Sequence, residues 1–286
     1  MRVMRHPHRV SAWSRLLHRE GIRIGLVPTM GALHAGHRAL IRAARLSCDA
    51  VAVSIFVNPV QFGPKEDWSR YPRPFARDVR LCRDEGVDLL FAPSVASMYP
   101  HDFQTEVHVP RLATRWEGSV RPGHLSGVAT VVTKLLCAVQ PAVAYFGQKD
   151  FQQAAVVRRL IEDLDFPSRI EVCPTVRESD GLALSSRNLY LSASQRATAP
   201  VLYRALFEGA RLTRTGSAPR DVRRAMLRIC RSARGVTVDY LTVCDPHTLE
   251  PLSRLSGRAV VLLGAIRLGS IRLIDNLLVR APRRRT

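Results

Sequence analysis

Short continuous apolar runs recur along the chain, and between them apolar residues return at helical spacing. Residues 22–27, 50–57, 87–92, 142–146 and 169–176 read as buried strands. A lead-in helix over 11–18 stops at Gly21, helical spacing from Arg38 puts Leu40, Ala43, Ala44 and Ser47 on one face, and 75–85 reads as a helix ended by Gly86. Residues 103–109 alternate like a strand, 126–139 read as a helix, and a further helix runs to Leu164. Beyond Asn188 the order changes. Helices over 194–212 and 218–233, separated by Gly216, precede strands over 236–243, 259–265 and 271–279, the pattern of a small α+β lobe.

The first strand hands over to its helix through Pro28, Thr29, Met30, Gly31, Ala32, Leu33, His34, Ala35, Gly36 and His37, with Pro28 and Gly31 as the breakers. His34 and His37 therefore stand at a helix N-terminus. Unpaired N–H groups and the macrodipole favour an anion such as a phosphate there, and Gly36 removes a Cβ from the path of close approach. Two imidazoles three residues apart can donate hydrogen bonds to charge developing on a transferred phosphorus. Asn58, Gln61 and Phe62 follow the second apolar run, where the carboxyl end of a parallel strand borders the ligand crevice. Residues 142–146 repeat the opening syntax, leading into Gly147, Gln148, Lys149 and Asp150 at a helix start. Lys149 suits β- and γ-phosphates, Asp150 suits ribose hydroxyls or the orienting of its neighbours, and Gln153 lies one turn on. Arg121 and His124, in a turn-rich stretch, are either contacts to phosphate or carboxylate or ordinary loop residues.

Composition narrows the class. The 286 residues carry a formal charge of +19, which invites a nucleic-acid reading, but only three of the 43 basic residues are lysines (Lys65, Lys134, Lys149). The arginines spread over the whole length and cluster only at 283–285, so nucleic acid is not expected as the main ligand. A lysine retained among so many arginines marks a place that needs a compact ammonium. Six cysteines (Cys48, Cys82, Cys137, Cys173, Cys230, Cys244) are scattered without a Cys-x-x-Cys pair, as in a reduced protein with neither a disulfide framework nor a zinc site. No run reaches the length of a membrane span, and the expected location is cytoplasmic. No Gly-Lys dipeptide exists, which excludes a Walker-type loop.

Pro-Thr-Met-Gly-Ala-Leu-His-x-Gly-His over 28–37 resembles the signature of the pantoate–β-alanine ligases (pantothenate synthetases), His-x-Gly-His nucleotidyltransferases with a Rossmann-like core. Later segments resemble the same family in the same order: Phe-Val-Asn-Pro-x-Gln-Phe-Gly-Pro over 56–64, Gly-x-Lys-Asp-x-Gln-Gln over 147–153, Leu-Ser-Ser-Arg over 184–187, and Arg-Leu-Ile-Asp-Asn over 272–276. The resemblance implies an α/β fold, with a Rossmann-like parallel-sheet domain over 1–176 and a smaller α+β C-terminal lid domain over 177–286. It implies ATP-dependent condensation of (R)-pantoate with β-alanine through a pantoyl-adenylate, with magnesium held by ATP and no direct protein metal site. It assigns ATP to Met30, Gly31, Ala32, Leu33, His34, Ala35, Gly36, His37, Gly147, Gln148, Lys149, Asp150, Val176, Leu184, Ser185, Ser186 and Arg187. Of these, His34, His37, Lys149 and Arg187 are the catalytic set. Pantoate and β-alanine fall to Asn58, Gln61, Tyr71, His124 and Gln153, with Tyr71 in a flexible lid formed by 65–74. A homodimer is implied as well. Two departures stand out: Ala35 where members often carry glutamate, and Leu184 where methionine is common. The competing readings are another adenylyl or cytidylyl transferase or a synthetase-like tRNA enzyme on the same fold, the last opposed by the absence of Lys-Met-Ser-Lys-Ser, and a non-catalytic RNA-binding protein.

Overall fold

Apolar runs flanked by amphipathic helices bury both faces of a sheet only if the strands lie parallel, with the helices covering them. In the computed structural model, which describes residues 1–64, 66 and 68–282, this is the arrangement of the first of two compact units. That unit holds residues 1–148 and 152–174; the second holds 149–151 and the chain from 175 onward. Lys65, Asp67 and the arginine tail at 283–285 lie outside the described residues.

The first unit runs β1 (Arg2–Met4), α1 (Pro7–Arg19), β2 (Ile24–Thr29), α2 (Ala35–Ser47), β3 (Ala50–Ile55), α3 (Phe75–Asp84) and β4 (Leu89–Phe91). Three short helices follow, α4 (Val95–Met98), α5 (Pro110–Ala113) and α6 (Glu117–Val120), then α7 (His124–Val139), β5 (Val143–Gly147), α8 (Phe151–Asp163) and β6 (Arg169–Cys173). Its six strands are parallel in the order β1-β4-β3-β2-β5-β6. After β2 the chain builds to one side through β3 and β4, and later to the other through β5 and β6. The carboxyl ends of β2 and β5 thus flank the topological switch point, where open α/β sheets bind ligands. Val27, Leu33, Ile41, Val51, Val53 and Leu90 pack together in the core, Ile41 and Leu40 coming from the apolar stripe of α2. A fully buried side chain of this kind contributes about 1.5–3 kcal/mol.

The second unit contains α9 (Ala193–Thr198), α10 (Val201–Arg214), α11 (Pro219–Ser232), β7 (Val236–Cys244), β8 (Ala259–Leu268) and β9 (Ile271–Arg280). Its strands form an antiparallel sheet in the order β7-β8-β9. Leu202, Leu206, Val222 and Met226 from the two long helices pack with Leu241, Leu262 and Ile266 from the sheet.

Several expectations change. Pro28 does not end β2 but lies within it, opposite Ser54 of β3; β5 pairs with β2 only at Gly25 and Leu26, so no ladder bond is lost to the missing N–H. Residues 103–109 form no strand: the Val107 N–H goes to the Thr130 hydroxyl (3.0 Å). The helix expected over 194–212 divides at Ala199 and Pro200, because proline supplies no N–H to continue it. β1, three residues long, has too little pattern to read from sequence. All six cysteines are free, and among the described residues no helix is long and apolar enough to cross a membrane.

Candidate active site

The turn after β2 is built from the inside. Thr29 Oγ1 donates to the Ser54 carbonyl (2.7 Å) and accepts the Gly31 N–H (3.1 Å). Gly31 (φ +88°) and Ala32 (φ +50°) then turn in the left-handed region, one at no steric cost and one with strain. What holds them is a carboxylate from a distant helix. Asp78 of α3, 1 % exposed, accepts the N–H groups of Ala32 (2.8 Å) and Leu33 (2.9 Å). Burial pushes its carboxyl up from the ordinary range, and the two N–H bonds oppose that rise.

The histidines then close the N-terminus of α2. His34 Nδ1 accepts the Gly36 N–H (3.1 Å), and His37 Nδ1 accepts the His34 N–H (3.2 Å), a reciprocal cap with ring centroids 4.1 Å apart. A nitrogen that accepts carries no proton, so each neutral ring bears its hydrogen on Nε2, and each Nε2 is a donor. A Cβ on Gly36 would stand 2.9 Å from His34 Cε1, so the glycine here makes room for the capping imidazole, a neighbour the sequence does not reveal. The first turn of α2 holds no acidic residue, which keeps its dipole available to an anion.

Beyond β3, Asn58 and Gln61 are buried, 1 % and 6 % exposed, where an isolated glutamine would ordinarily face solvent. Asn58 Nδ2 donates to Gln61 Oε1 and to the Gly127 carbonyl (both 3.0 Å), and Tyr99 donates to Asn58 Oδ1 (2.9 Å). Gln61 Nε2 meets Met30 Sδ at 2.9 Å, joining this cluster to the β2–α2 turn. His124 is held at both ring nitrogens: Arg121 Nη1 donates to Nε2 (2.8 Å), so Nδ1 carries the proton and donates to the Gln61 carbonyl (2.9 Å). Desolvation, with Arg121 adding to it, lowers the His124 pKa to about 4. Arg121 is itself clamped by both Glu66 oxygens (2.6 and 2.7 Å), so it is engaged as a buttress of His124 and Glu66. Tyr71, 6 % exposed, packs edge-on to Phe62.

Gln148–Asp150 make one 3-10 turn before α8, and Lys149 Nζ pairs with Asp150 Oδ1 (3.1 Å); these two residues group with the second unit. Residues 176–184 fold back on themselves: Leu184 N–H donates to the Val176 carbonyl (3.0 Å), and Arg177 bridges to Ala183. Ser185 caps the 3-10 helix Ser186–Tyr190 by accepting the Arg187 N–H (3.3 Å). Thr175 Oγ1 and Asn188 Oδ1, at the two ends of this segment, are buried polar atoms with no partner.

A comparison with protein families identifies residues 2–278 as a match to the pantoate-beta-alanine ligase model. The chain belongs to the pantoate-beta-alanine ligase family. It is 52% identical over 262 residues to a pantothenate synthetase of Rhizobium rhizogenes (91% of this chain, 90% of the relative), and 49% identical over 282 residues to one of Koribacter versatilis (98% and 97%). A crystal structure of the Thermus thermophilus enzyme aligns at TM-score 0.90 with 48% identity, covering 97% of this chain and 99% of that one. The Francisella tularensis pantoate-beta-alanine ligase, complexed with beta-gamma ATP and beta-alanine, aligns at TM-score 0.80 with 33% identity, covering 97% of each.

Among the family's motif positions, the first unit holds the reciprocal His34–His37 cap and, beside it in sequence, a hydrogen-bonded set in which Gln61 joins Met30, Asn58 and His124. The second holds Lys149, Asp150, Val176, Leu184, Ser185, Ser186 and Arg187. Gln153, half-buried on α8, stands beside a fully engaged neighbour. Gln152 accepts the Glu117 N–H (3.0 Å) and donates to the carbonyls of Leu112 (2.7 Å) and Arg115 (2.8 Å). Sequence reasoning missed Asp78, Tyr99 and Gln152 as supports. Asp78 leaves one trace, an acid four residues before Cys82 on the buried stripe of α3; Tyr99 leaves none.

Proposed function

We propose that the chain condenses (R)-pantoate with β-alanine, cleaving ATP to AMP and pyrophosphate, through a pantoyl-adenylate. A pantoate carboxylate oxygen attacks the α-phosphorus, the bond to the β-phosphate oxygen breaks and pyrophosphate leaves. The β-alanine amine then attacks the acyl carbon and displaces AMP. The observation that carries this reading is the tautomer of the His34 and His37 pair: with both Nδ1 atoms accepting backbone N–H groups, two Nε2–H donors stand at the N-terminus of α2. Donors of that kind stabilise charge on phosphoryl oxygens in the transition state.

Met30–His37 and Gly147–Asp150 are assigned to ATP together with Val176 and Leu184–Arg187, with Lys149 and Arg187 neutralising the departing pyrophosphate. Asn58, Gln61, Tyr71, His124 and Gln153 are assigned to pantoate and β-alanine. Gln61, locked by Asn58, offers a donor and an acceptor suited to a substrate with a hydroxyl and a carboxylate. Magnesium would ride on the ATP oxygens and waters and supply charge neutralisation. The family resemblance also supports a homodimer, a cytoplasmic setting, and the division of labour between a nucleotide-binding domain at 1–176 and a lid domain at 177–286.

Pyrophosphate–ATP isotope exchange with pantoate present and β-alanine absent tests the reading. Exchange that depends on pantoate is expected; exchange indifferent to it would overturn the substrate assignment.

A further inference from the structure

The buried positions of β9 are apolar except for two adjacent residues in its middle, Asp275 and Asn276, 5 % and 1 % exposed. Both are fully engaged. Asp275 takes Arg177 in a two-pronged pair (2.6 and 2.9 Å) and accepts the Asn276 N–H (2.7 Å). Arg177 also donates to the Gly181 carbonyl (3.0 Å) and lies over the Tyr203 ring, 4.4 Å from its centre. Asn276 Nδ2 donates to the backbone carbonyl of Lys149 (2.9 Å). Through Arg177 the same pair grips the fold-back that leads to Ser185, and through Asn276 it grips the turn that carries Lys149.

A buried polar cluster is a poor means of stabilising a strand, because apolar residues of similar volume would serve as well or better. Its geometry offers something else, a fixed spacing between two segments that are far apart in sequence. We propose that Asn276 is a positioning residue for the phosphate chemistry: braced by Arg177 and Asp275, it sets the backbone of Lys149 relative to the Ser185–Arg187 segment. The inference rests on the assignment of Lys149 to the β- and γ-phosphates. It follows that Asn276 serves adenylate formation and not the second half-reaction, in which no pyrophosphate is present.

The test uses the full-length enzyme with Asn276→Ala, the isosteric Asn276→Asp, which loses the donor, Lys149→Ala, and the double variant Lys149→Ala/Asn276→Ala. Two rates are measured beside thermal melting: pantoate-dependent pyrophosphate–ATP exchange, and aminolysis of supplied pantoyl-adenylate by β-alanine. Both Asn276 variants are expected to lower exchange roughly 10- to 100-fold, the scale of a misplacement of about 1 Å, with a raised KM for ATP. Aminolysis should stay within about twofold of wild type, and in the Lys149→Ala background Asn276→Ala should change exchange by no more than about twofold. Equal losses in both half-reactions, additive losses in the double variant, unaltered exchange, or failure of both Asn276 variants to fold would each overturn the inference. Wild-type enzyme without pantoate-dependent exchange would sink the functional reading itself, a separable outcome.

Discussion

The turn after β2 and the turn after β5 have the same sequence syntax, an apolar strand, a glycine and polar residues at a helix start, yet they are supported in opposite ways. The first is self-contained. Its left-handed residues hang on Asp78, and its helix is capped by the imidazoles themselves, so the groups proposed for chemistry also form the local scaffold. In the second, Lys149 pairs with Asp150 within the turn, and its backbone is tied to Asn276 of β9. Residues 149–151 accordingly group with the second unit, although β5 and most of α8 belong to the first. One turn is a prebuilt cradle; the other takes its place from elements more than a hundred residues later. A motif in sequence specifies which atoms are offered, while the surrounding fold decides how firmly.

The sharpest way to break this contrast is to remove a group that is both scaffold and donor. His37→Ala deletes an Nε2–H and the acceptor of the His34 N–H. Adenylation measured by isotope exchange is expected to fall on the order of 10²-fold or more, the scale for one such donor. The circular dichroism spectrum should stay native, because an N-terminal cap contributes only about 1 kcal/mol. Full activity would remove His37 from the mechanism.

Next in size is the support beneath. Asp78→Asn keeps the shape but exchanges one acceptor oxygen for an NH2 group aimed at a backbone N–H. A buried donor left in that state costs about 1–3 kcal/mol. Urea unfolding should show this loss, and exchange should fall as Ala32 and Leu33 relax. Unchanged stability together with unchanged exchange would mean that the turn holds its shape without the carboxylate.

The two supports also differ in how far they can be read from sequence. The His34–His37 turn, the parallel strands and the α+β lobe are written in local pattern, which depends on neighbours in the chain. Asp78, Tyr99 and Gln152 act across 46, 41 and 35 residues, and no periodicity records such pairings. Pro28 misled because the rule that proline ends a strand assumes pairing on both sides, and β2 is paired on one side only at that level. Asp275 and Asn276 did leave a mark, two adjacent polar residues between the apolar runs Leu273–Ile274 and Leu277–Val279, although what they hold is not deducible from that mark.

Protonation offers a subtler probe, because His124 is held as the opposite tautomer to His34 and His37. His124, with its folded-state pKa lowered to about 4, binds its proton less readily folded than unfolded. Stability therefore rises with pH between about 4 and the unfolded value near 6.5, and is lost as pH falls through that window. The expected loss is on the order of 2 kcal/mol between pH 7 and pH 4. His124→Asn should flatten that part of the stability profile in denaturant titrations at several pH values, and an unaltered slope would reassign the dependence to another group.

The smallest effect separates dipole from donor at the first turn. Ala35 is exposed and is the first residue of α2, whose opening turn has no acid. Ala35→Glu should stabilise the fold by about 0.3–1 kcal/mol through the macrodipole. The same carboxylate would compete with a phosphate if the bare helix end were the main attraction for ATP. With the Nε2–H donors of His34 and His37 dominating, the KM for ATP should instead change by less than the roughly fivefold that 1 kcal/mol represents. A larger rise would shift the weight of nucleotide binding from the imidazoles to the helix terminus, and make the first turn as dependent on its setting as the second.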